Sequence, residues 1–395
     1  MTVPPTIANP QVSATRALAK AAVTRIKLRD FRNYPRLDLT VGDGPVVLTG
    51  SNGAGKTNLI EAISMLAPGT GLRRAKLDEM DRIGGGPWQI EAEISSPDGV
   101  LEIKTKRDAL KDRRLIAVND KNLGSSGGLA DLMAILWLTP ALDRLFVEAG
   151  SSRRRFLDRL VLAVTSSHAT QVRAFEKAMR ERLKLLRGHK PDPAWLSLLE
   201  RQMAEAAVAV AAARLDLIQH LQAMIDLKLD PFDRPKLMVK GEVETWLGEL
   251  PALDVEERIC KRLAADRARD AEYGATALGT HRSDLTVFDY ATMEPAANCS
   301  TGRQKALLIA IILAEARLRA RLRGALPILL LDEITAHLDA QKRAALMASL
   351  DAIGAQAWLT GTEPGLFADL TPKRHYVTVD DGQISPNRIG VQSPS

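Results

Sequence analysis

The chain is poor in aromatic residues, has almost no cysteine and contains no long apolar run. Phe, Trp and Tyr make up 4% of its 395 residues. Stacking of aromatic side chains on unpaired bases is therefore not an obvious way for it to hold nucleic acid. Two cysteines, Cys260 and Cys299, give neither a disulfide framework nor a metal-ligand spacing. The six histidines contain no H-E-x-x-H pattern. The longest apolar run, Ala306 to Ala314, has nine residues, whereas a membrane helix takes about 20. The N-terminus lacks the basic-then-apolar layout of a secretory leader, so a cytoplasmic location without membrane contact is expected. The Pro, Thr and Ala content of residues 1–22 reads as a disordered tail. With 46% hydrophobic residues, the length suits two or three domains.

Against that background two short segments stand out, and 276 residues separate Lys56 in the first from Asp332 in the second. Gly50-Ser51-Asn52-Gly53-Ala54-Gly55-Lys56-Thr57 fits G-x-x-x-x-G-K-[ST] without a gap. Val46-Val47-Leu48 before it suits a buried strand. Leu59, Ile63 and Leu66 after it recur at helical spacing, and Pro68-Gly69 ends the helix. Glycines let such a loop turn its N–H groups inward around phosphate oxygens, and the helix N-terminus adds positive potential. Lys56 is expected on the β- and γ-phosphates, and Thr57 on Mg²⁺.

The second segment is Ile328-Leu329-Leu330-Leu331-Asp332-Glu333. Four consecutive large apolar residues fit a strand buried on both faces, as in a parallel sheet. Asp332 then falls at the strand's carboxyl end, where open α/β sheets place ligands. It is expected as a Mg²⁺ partner, and Glu333 as the group that orients or deprotonates the attacking water. Between the segments, Ser300-Thr301-Gly302 precedes a helical stretch from Arg303 to Arg323, which Gly324 stops. Alone, Ser-x-Gly before a helix is usually an N-cap.

Organisation follows from pattern changes. Residues 24–150 alternate strands, helices and Gly turns, including a hairpin expected between Gln89–Ile94 and Val100–Lys106. From about Ser151 long helical patterns take over, among them Ala204–Leu229 and Glu256–Glu272. From about Tyr273 strands return. The expected fold class is α/β: a P-loop ATPase head over 23–150 and 273–395, with a mostly α-helical lobe inserted over 151–272. The net charge of +6 is unevenly spread. Residues 151–190 hold eleven Lys or Arg and three acids, a balance of +8. Such a stretch neutralises phosphates without reading sequence, or else is a solvated helix face. Arg153, Arg154 and Arg155 are the DNA-contact candidates.

The order of phosphate loop, Ser-x-Gly and apolar strand ending in Asp-Glu resembles the ABC-type ATPases. Further segments narrow the likeness: Leu28–Tyr34, Gly55–Ala62, Gly69–Arg74, Arg153–Arg159 and Gly279–Asp284. Together they closely resemble the RecF family of bacterial DNA replication and repair ATPases, from about Val23 to about Asp381. The resemblance implies an ATP- and Mg²⁺-dependent homodimer in which Ser300, Gly302 and Gln304 face the nucleotide of the other subunit. It places Asp339 of His337-Leu338-Asp339 on the interface loop, and Thr362 where the transporters of the wider class carry a switch histidine. It implies DNA, near single-strand/double-strand junctions, as a partner, with the mediators RecO and RecR. Three positions depart from the family pattern: Arg303 in place of an acidic residue, Thr139–Asp143 in place of a Pro-Glu-Asp run, and Ser283 where aspartate is common. The competing readings are the ATP-binding subunit of a transporter, an SMC-like chromosome protein, and a binding scaffold with a dead site.

Overall fold

The computed structural model describes residues 19–96, 99–188, 191–370 and 374–386. Residues 1–18 of the expected tail, the hairpin tip at 97–98 and Lys190 of the basic stretch lie outside them. The described chain opens with β1 (Ala19–Lys20), β2 (Ala22–Phe31), β3 (Tyr34–Thr40) and β4 (Val46–Thr49), followed by α1 (Lys56–Ser64). Five strands come next: β5 (Gln89–Ser96), β6 (Gly99–Asp108), β7 (Arg113–Val118), β8 (Lys121–Leu123) and β9 (Ile135–Leu138). Helices α2 (Gly150–Val164), α3 (His168–Leu186) and α4 (Pro193–Asp226) lead to β10 (Pro235–Lys240), α5 (Glu242–Leu247), α6 (Ala252–Ala265) and α7 (Arg267–Tyr273). The remainder is β11 (Asp284–Asp289), α8 (Thr301–Arg323), β12 (Ala325–Leu326), β13 (Ile328–Leu331), α9 (Ala340–Ile353), β14 (Ala357–Gly361), β15 (His375–Asp380) and β16 (Gln383–Pro386).

Two six-stranded sheets carry the head. One is antiparallel, in the order β3-β2-β5-β6-β7-β8. The other runs β16-β15-β4-β14-β13-β9, with β15, β4, β14, β13 and β9 parallel and β16 antiparallel at the edge. Alternate residues of the parallel strands serve two cores. Val46, Leu48, Ile328, Leu330 and Trp358 join the layer shared with the antiparallel sheet and α1. Val47, Leu329, Leu331, Ala357 and Leu359 face α8 and its neighbours. That two-sided burial is why these strands read as unbroken apolar runs.

The structure corrects several boundaries. The expected tail does not extend to residue 22, because β1 pairs in parallel with β12 and β2 begins at Ala22. The long Ala-rich helix starts earlier, at Pro193, capped by the Asp192 carboxylate. The charged helix expected over 256–272 is two helices that meet at Asp266, whose side chain accepts from Arg262. Strand β10, inside the expected lobe, forms an antiparallel ladder with β11 beyond it. Helix α2 contributes Phe156, Leu157, Leu160 and Val161 to the core of the head. A separate cluster joins α3, α4, α5 and α6 around Phe175, Met203, Trp246 and Ile259. Inside that bundle Arg182, fully buried, donates to Glu200 at 3.0 Å, to Asp270 at 2.6 Å and to the Leu263 carbonyl at 2.6 Å. Removing one partner of such a buried set costs about 3–5 kcal/mol.

Candidate nucleotide site

The phosphate loop joins β4 to α1, and its glycines adopt backbone angles that side chains disfavour. Gly50, Gly53 and Gly55 have φ of 146°, 84° and 114°. A Cβ on Gly50 would lie 2.1 Å from the Val379 carbonyl oxygen, and one on Gly55 2.6 Å from the Asn33 amide. The loop is held from both sides. Asn33 donates to the Ala54 carbonyl at 3.1 Å, Tyr34 to the Gly55 carbonyl at 3.0 Å, and the Gly382 N–H to Ala54 at 3.0 Å. Behind it, Glu61 takes a two-pronged pair from Arg32 and a third contact from Arg73, while Asn58 bridges Asn33 and Arg73. Arg32, Asn33 and Tyr34 of one family-like segment, Asn58 and Glu61 of a second and Arg73 of a third thus meet as one support under the loop.

Lys56 is buried, and its ammonium donates to the Gly50 and Ser51 carbonyls at 2.7 Å each. Burial lowers its pKa, while Glu333 and Asp332 pull it back up. Thr57 Oγ1 donates to Asp332 Oδ1 at 3.0 Å, so the two segments are joined directly. A hydroxyl and a carboxylate are hard oxygen donors. Mg²⁺ in nucleotide sites takes one or two such protein ligands and completes its shell with water and phosphate oxygens. The Thr57–Asp332 pair fits that ion.

Two residues of this half-site escaped the sequence reading. Thr360 on β14 donates to Asp332 Oδ1 at 2.7 Å and accepts the Glu333 N–H at 2.7 Å. A hydroxyl in a fully apolar buried strand was the available signal. Thr362, the expected switch position, instead lies exposed past the end of β14. Lys305 on α8, 2% exposed, donates to the Glu333 carbonyl at 3.1 Å and to Asp143 Oδ2 at 3.3 Å. Glu333 itself holds φ at 47° with its side chain exposed.

The segment expected to form the second half lies at the start of α8. Ser300 occupies the N-cap position, but its hydroxyl makes no capping bond and is exposed. Gly302 lies beside the interface-loop candidate: a Cβ there would be 3.3 Å from the His337 carbonyl oxygen. Gln304 differs from expectation. It is buried and donates to the Cys299 and Ala297 carbonyls at 2.8 and 3.3 Å, so it braces the signature turn from within. Arg303, the departure from the family pattern, is tied to Asp289 and Asp233. Asp339 caps α9, accepting from Lys342 N at 2.8 Å.

The basic stretch is not one surface. Arg153 forms a bidentate pair with Asp284 at 2.8 and 2.7 Å and its side chain is 17% exposed. Arg154 donates to the Ser283 carbonyl at 2.8 Å. These two therefore pin α2 to the approach of β11, because a planar carboxylate and a carbonyl are within reach of the fork. Of the three DNA candidates only Arg155 faces solvent. Ser283 donates to Glu244 at 2.6 Å. The segments Arg153–Arg159 and Gly279–Asp284 are accordingly the two sides of one packing joint.

Known proteins resemble this chain over most of its length. The family model RecF/RecN/SMC N terminal domain matches residues 22–371. The DNA replication and repair protein RecF of Mesorhizobium japonicum is 44% identical over 373 residues, 93% of this chain and 98% of that protein. The RecF of Brucella abortus is 46% identical over 371 residues, 93% of this chain and 96% of that protein. Among solved structures, the recombination mediator protein RecF with ATP superimposes with a TM-score of 0.83 at 20% identity. That match covers 95% of this chain and 100% of that one. An SMC head domain from Pyrococcus furiosus gives 0.53 at 13% identity, over 92% and 95%.

Proposed function

This chain belongs to the RecF family, and on that premise we propose that it is an ATP-dependent DNA-binding protein of recombinational repair and replication restart, closed around DNA as a dimer by nucleotide. The observation that carries the reading is the state of Ser300. It sits at a helix N-terminus with an exposed, uncommitted hydroxyl, in a chain whose opposite half-site, Lys56 to Glu333, is fully assembled. A helix N-terminus of that kind attracts a phosphate, and among the described residues no side chain caps it.

In this reading Lys56 and the loop N–H groups hold the β- and γ-phosphates. Thr57 and Asp332 would hold Mg²⁺, which would supply neutralisation of phosphate charge. Ser300 and Gly302 of a second copy cap the γ-phosphate and lock two heads together. Glu333 orients a water and takes its proton while the water oxygen bonds to the γ-phosphorus. The bond from phosphorus to the β–γ bridging oxygen breaks, leaving ADP and inorganic phosphate. Slow hydrolysis then acts as a release switch. The helical bundle of α3–α7 is a lobe on the ATPase head. The target is single-strand gaps or junctions, where RecO and RecR help load recombinase.

Mixing experiments test the shared site. Ser300→Arg protein should bind ATP within about two-fold of wild type but neither dimerise nor hydrolyse, since the bulky cation displaces the capping donors. Mixed with Lys56→Ala protein, it forms one intact composite site, and part of the DNA-dependent ATPase should return. If Ser300→Arg alone hydrolyses ATP at the wild-type rate, Ser300 is merely the first residue of a helix and the shared-site reading fails.

A further inference from the structure

Several arginines of the head are matched by a carboxylate, among them Arg25 by Asp38, Arg32 by Glu61, Arg153 by Asp284 and Arg317 by Asp230. Three neighbours are not. Among the described residues, Arg74, Arg155 and Arg159 form no ion pair with a carboxylate. They line one cavity of about 440 Å³, together with Arg73, Trp137 and Ser152. Arg73 is committed to Asn58 and Glu61. Among the described residues, Arg155 donates to the Ser152 hydroxyl alone. Arg159 donates to the Trp137 carbonyl and lies over the Trp137 ring at 4.6 Å, while its Nε is buried without a partner. Burial pushes Arg159 down to about 9, with the charge of Arg74 adding to the effect. Burial and then Arg155 likewise lower Arg74. Glu315, which interacts with Arg159, is buried, and that burial raises its carboxyl to about 8 against the pull of Arg319 and Arg159. Glu148 and Asp332 are the acids of the wall. Asp332 is already engaged by Thr57 and Thr360.

Where the cavity opens is as informative as what lines it. Its wall includes Thr57 and Asp332 but none of residues 50–56. It therefore begins at the metal and γ-phosphate end of the half-site and runs away from the part of the loop that holds the β-phosphate. Clustered guanidinium groups without counterions are costly to keep together, and each offers forked donors suited to a tetrahedral oxyanion.

We propose that this arginine-lined cavity is a phosphate site which receives the inorganic phosphate cut from ATP before it leaves the protein. The proposal rests on the hydrolysis reading above. A phosphodiester of bound DNA has the same chemistry and is the other source. The cavity's opening on Thr57 and Asp332 favours the product.

The test uses the full-length protein with ADP and Mg²⁺. Radiolabelled inorganic phosphate is equilibrated with wild type, with Arg74→Gln/Arg155→Gln, and with Arg74→Lys/Arg155→Lys. ATP affinity and oligonucleotide affinity are measured on the same samples. Direct phosphate binding needs no turnover, so its result stands even if the hydrolysis reading fails. Wild type should bind phosphate at least about ten-fold more tightly than the Gln pair, with the Lys pair intermediate. ATP affinity should stay within about two-fold throughout. Equal phosphate binding by wild type and the Gln pair overturns the proposal. So does a ten-fold loss of ATP affinity in the Gln pair, which would make these arginines ground-state nucleotide ligands. A flattened salt dependence of oligonucleotide binding with phosphate binding unchanged overturns it in favour of DNA.

Discussion

The two ends of the nucleotide site are built in opposite ways. At the phosphate-loop end three functional side chains already have partners in their own chain, Lys56 on loop carbonyls, Thr57 on Asp332 and Asp332 on Thr360, while the Glu333 side chain is exposed. At the signature end the Ser300 hydroxyl is exposed and uncommitted, although the residues behind it, Gln304 and Lys305, are buried and fixed. In the reading proposed above, one end is pre-organised for a ligand that arrives alone and the other for a ligand brought by a second molecule. Pre-organisation of the first lowers the ordering cost of binding ATP. On that reading, exposure of the second would leave closure to depend on protein concentration and on nucleotide.

The sharpest way to break this contrast is to empty the first end. Lys56→Ala removes the buried cation, and ATP affinity should fall about 100-fold or more, as read by fluorescent nucleotide titration. Retained affinity would remove the phosphate-loop assignment. Glu333→Gln separates binding from chemistry. Hydrolysis should drop about 100-fold or more while ATP binding persists, and sedimentation should show a dimer trapped with ATP and Mg²⁺. A monomer at saturating ATP contradicts closure by nucleotide.

Lys305→Met tests whether the two ends communicate inside one chain, because this side chain runs from the signature helix to the backbone of Glu333. kcat should fall about ten-fold with KM for ATP little changed, and Lys305→Arg should recover part of it. An equal loss in kcat and ATP affinity would mean general damage. The smallest effect concerns Glu315, on the same helix. It is buried without a hydrogen-bond partner, and burial raises its pKa to about 8. A folded-state value above the unfolded one gives stability that is full below about pH 4.5 and declines as pH climbs to about 8. Glu315→Gln should therefore raise Tm at pH 8 more than at pH 5. A pH-independent shift would show that Glu315 stays ionised.

What was legible in the sequence was what is local. The phosphate loop, the apolar strand before Asp332 and the long helix ended by Gly324 each carry their signal within a few residues, as motif, run or cap. What was illegible depends on partners far away in the chain. Nothing near Arg153 announces Asp284, and nothing near Lys305 announces Glu333. Thr360 and Thr362 are indistinguishable by type. Only the pairing of β14 with β13 decides which one reaches the carboxylate. Charge misled where it was read by counting: Arg182 belongs to a +8 stretch yet is fully buried between two carboxylates.

The contact between Gly382 and the phosphate loop bears on how the protein is made. Ala54 emerges early in synthesis, yet the N–H that holds its carbonyl belongs to the turn between β15 and β16, and the Val379 backbone that crowds Gly50 belongs to β15. A chain still on the ribosome therefore displays the complete loop sequence long before anything props the loop from that side. That brace is completed only late in synthesis, and a chain cut short before β15 would carry the motif but leave the loop unbraced on that side.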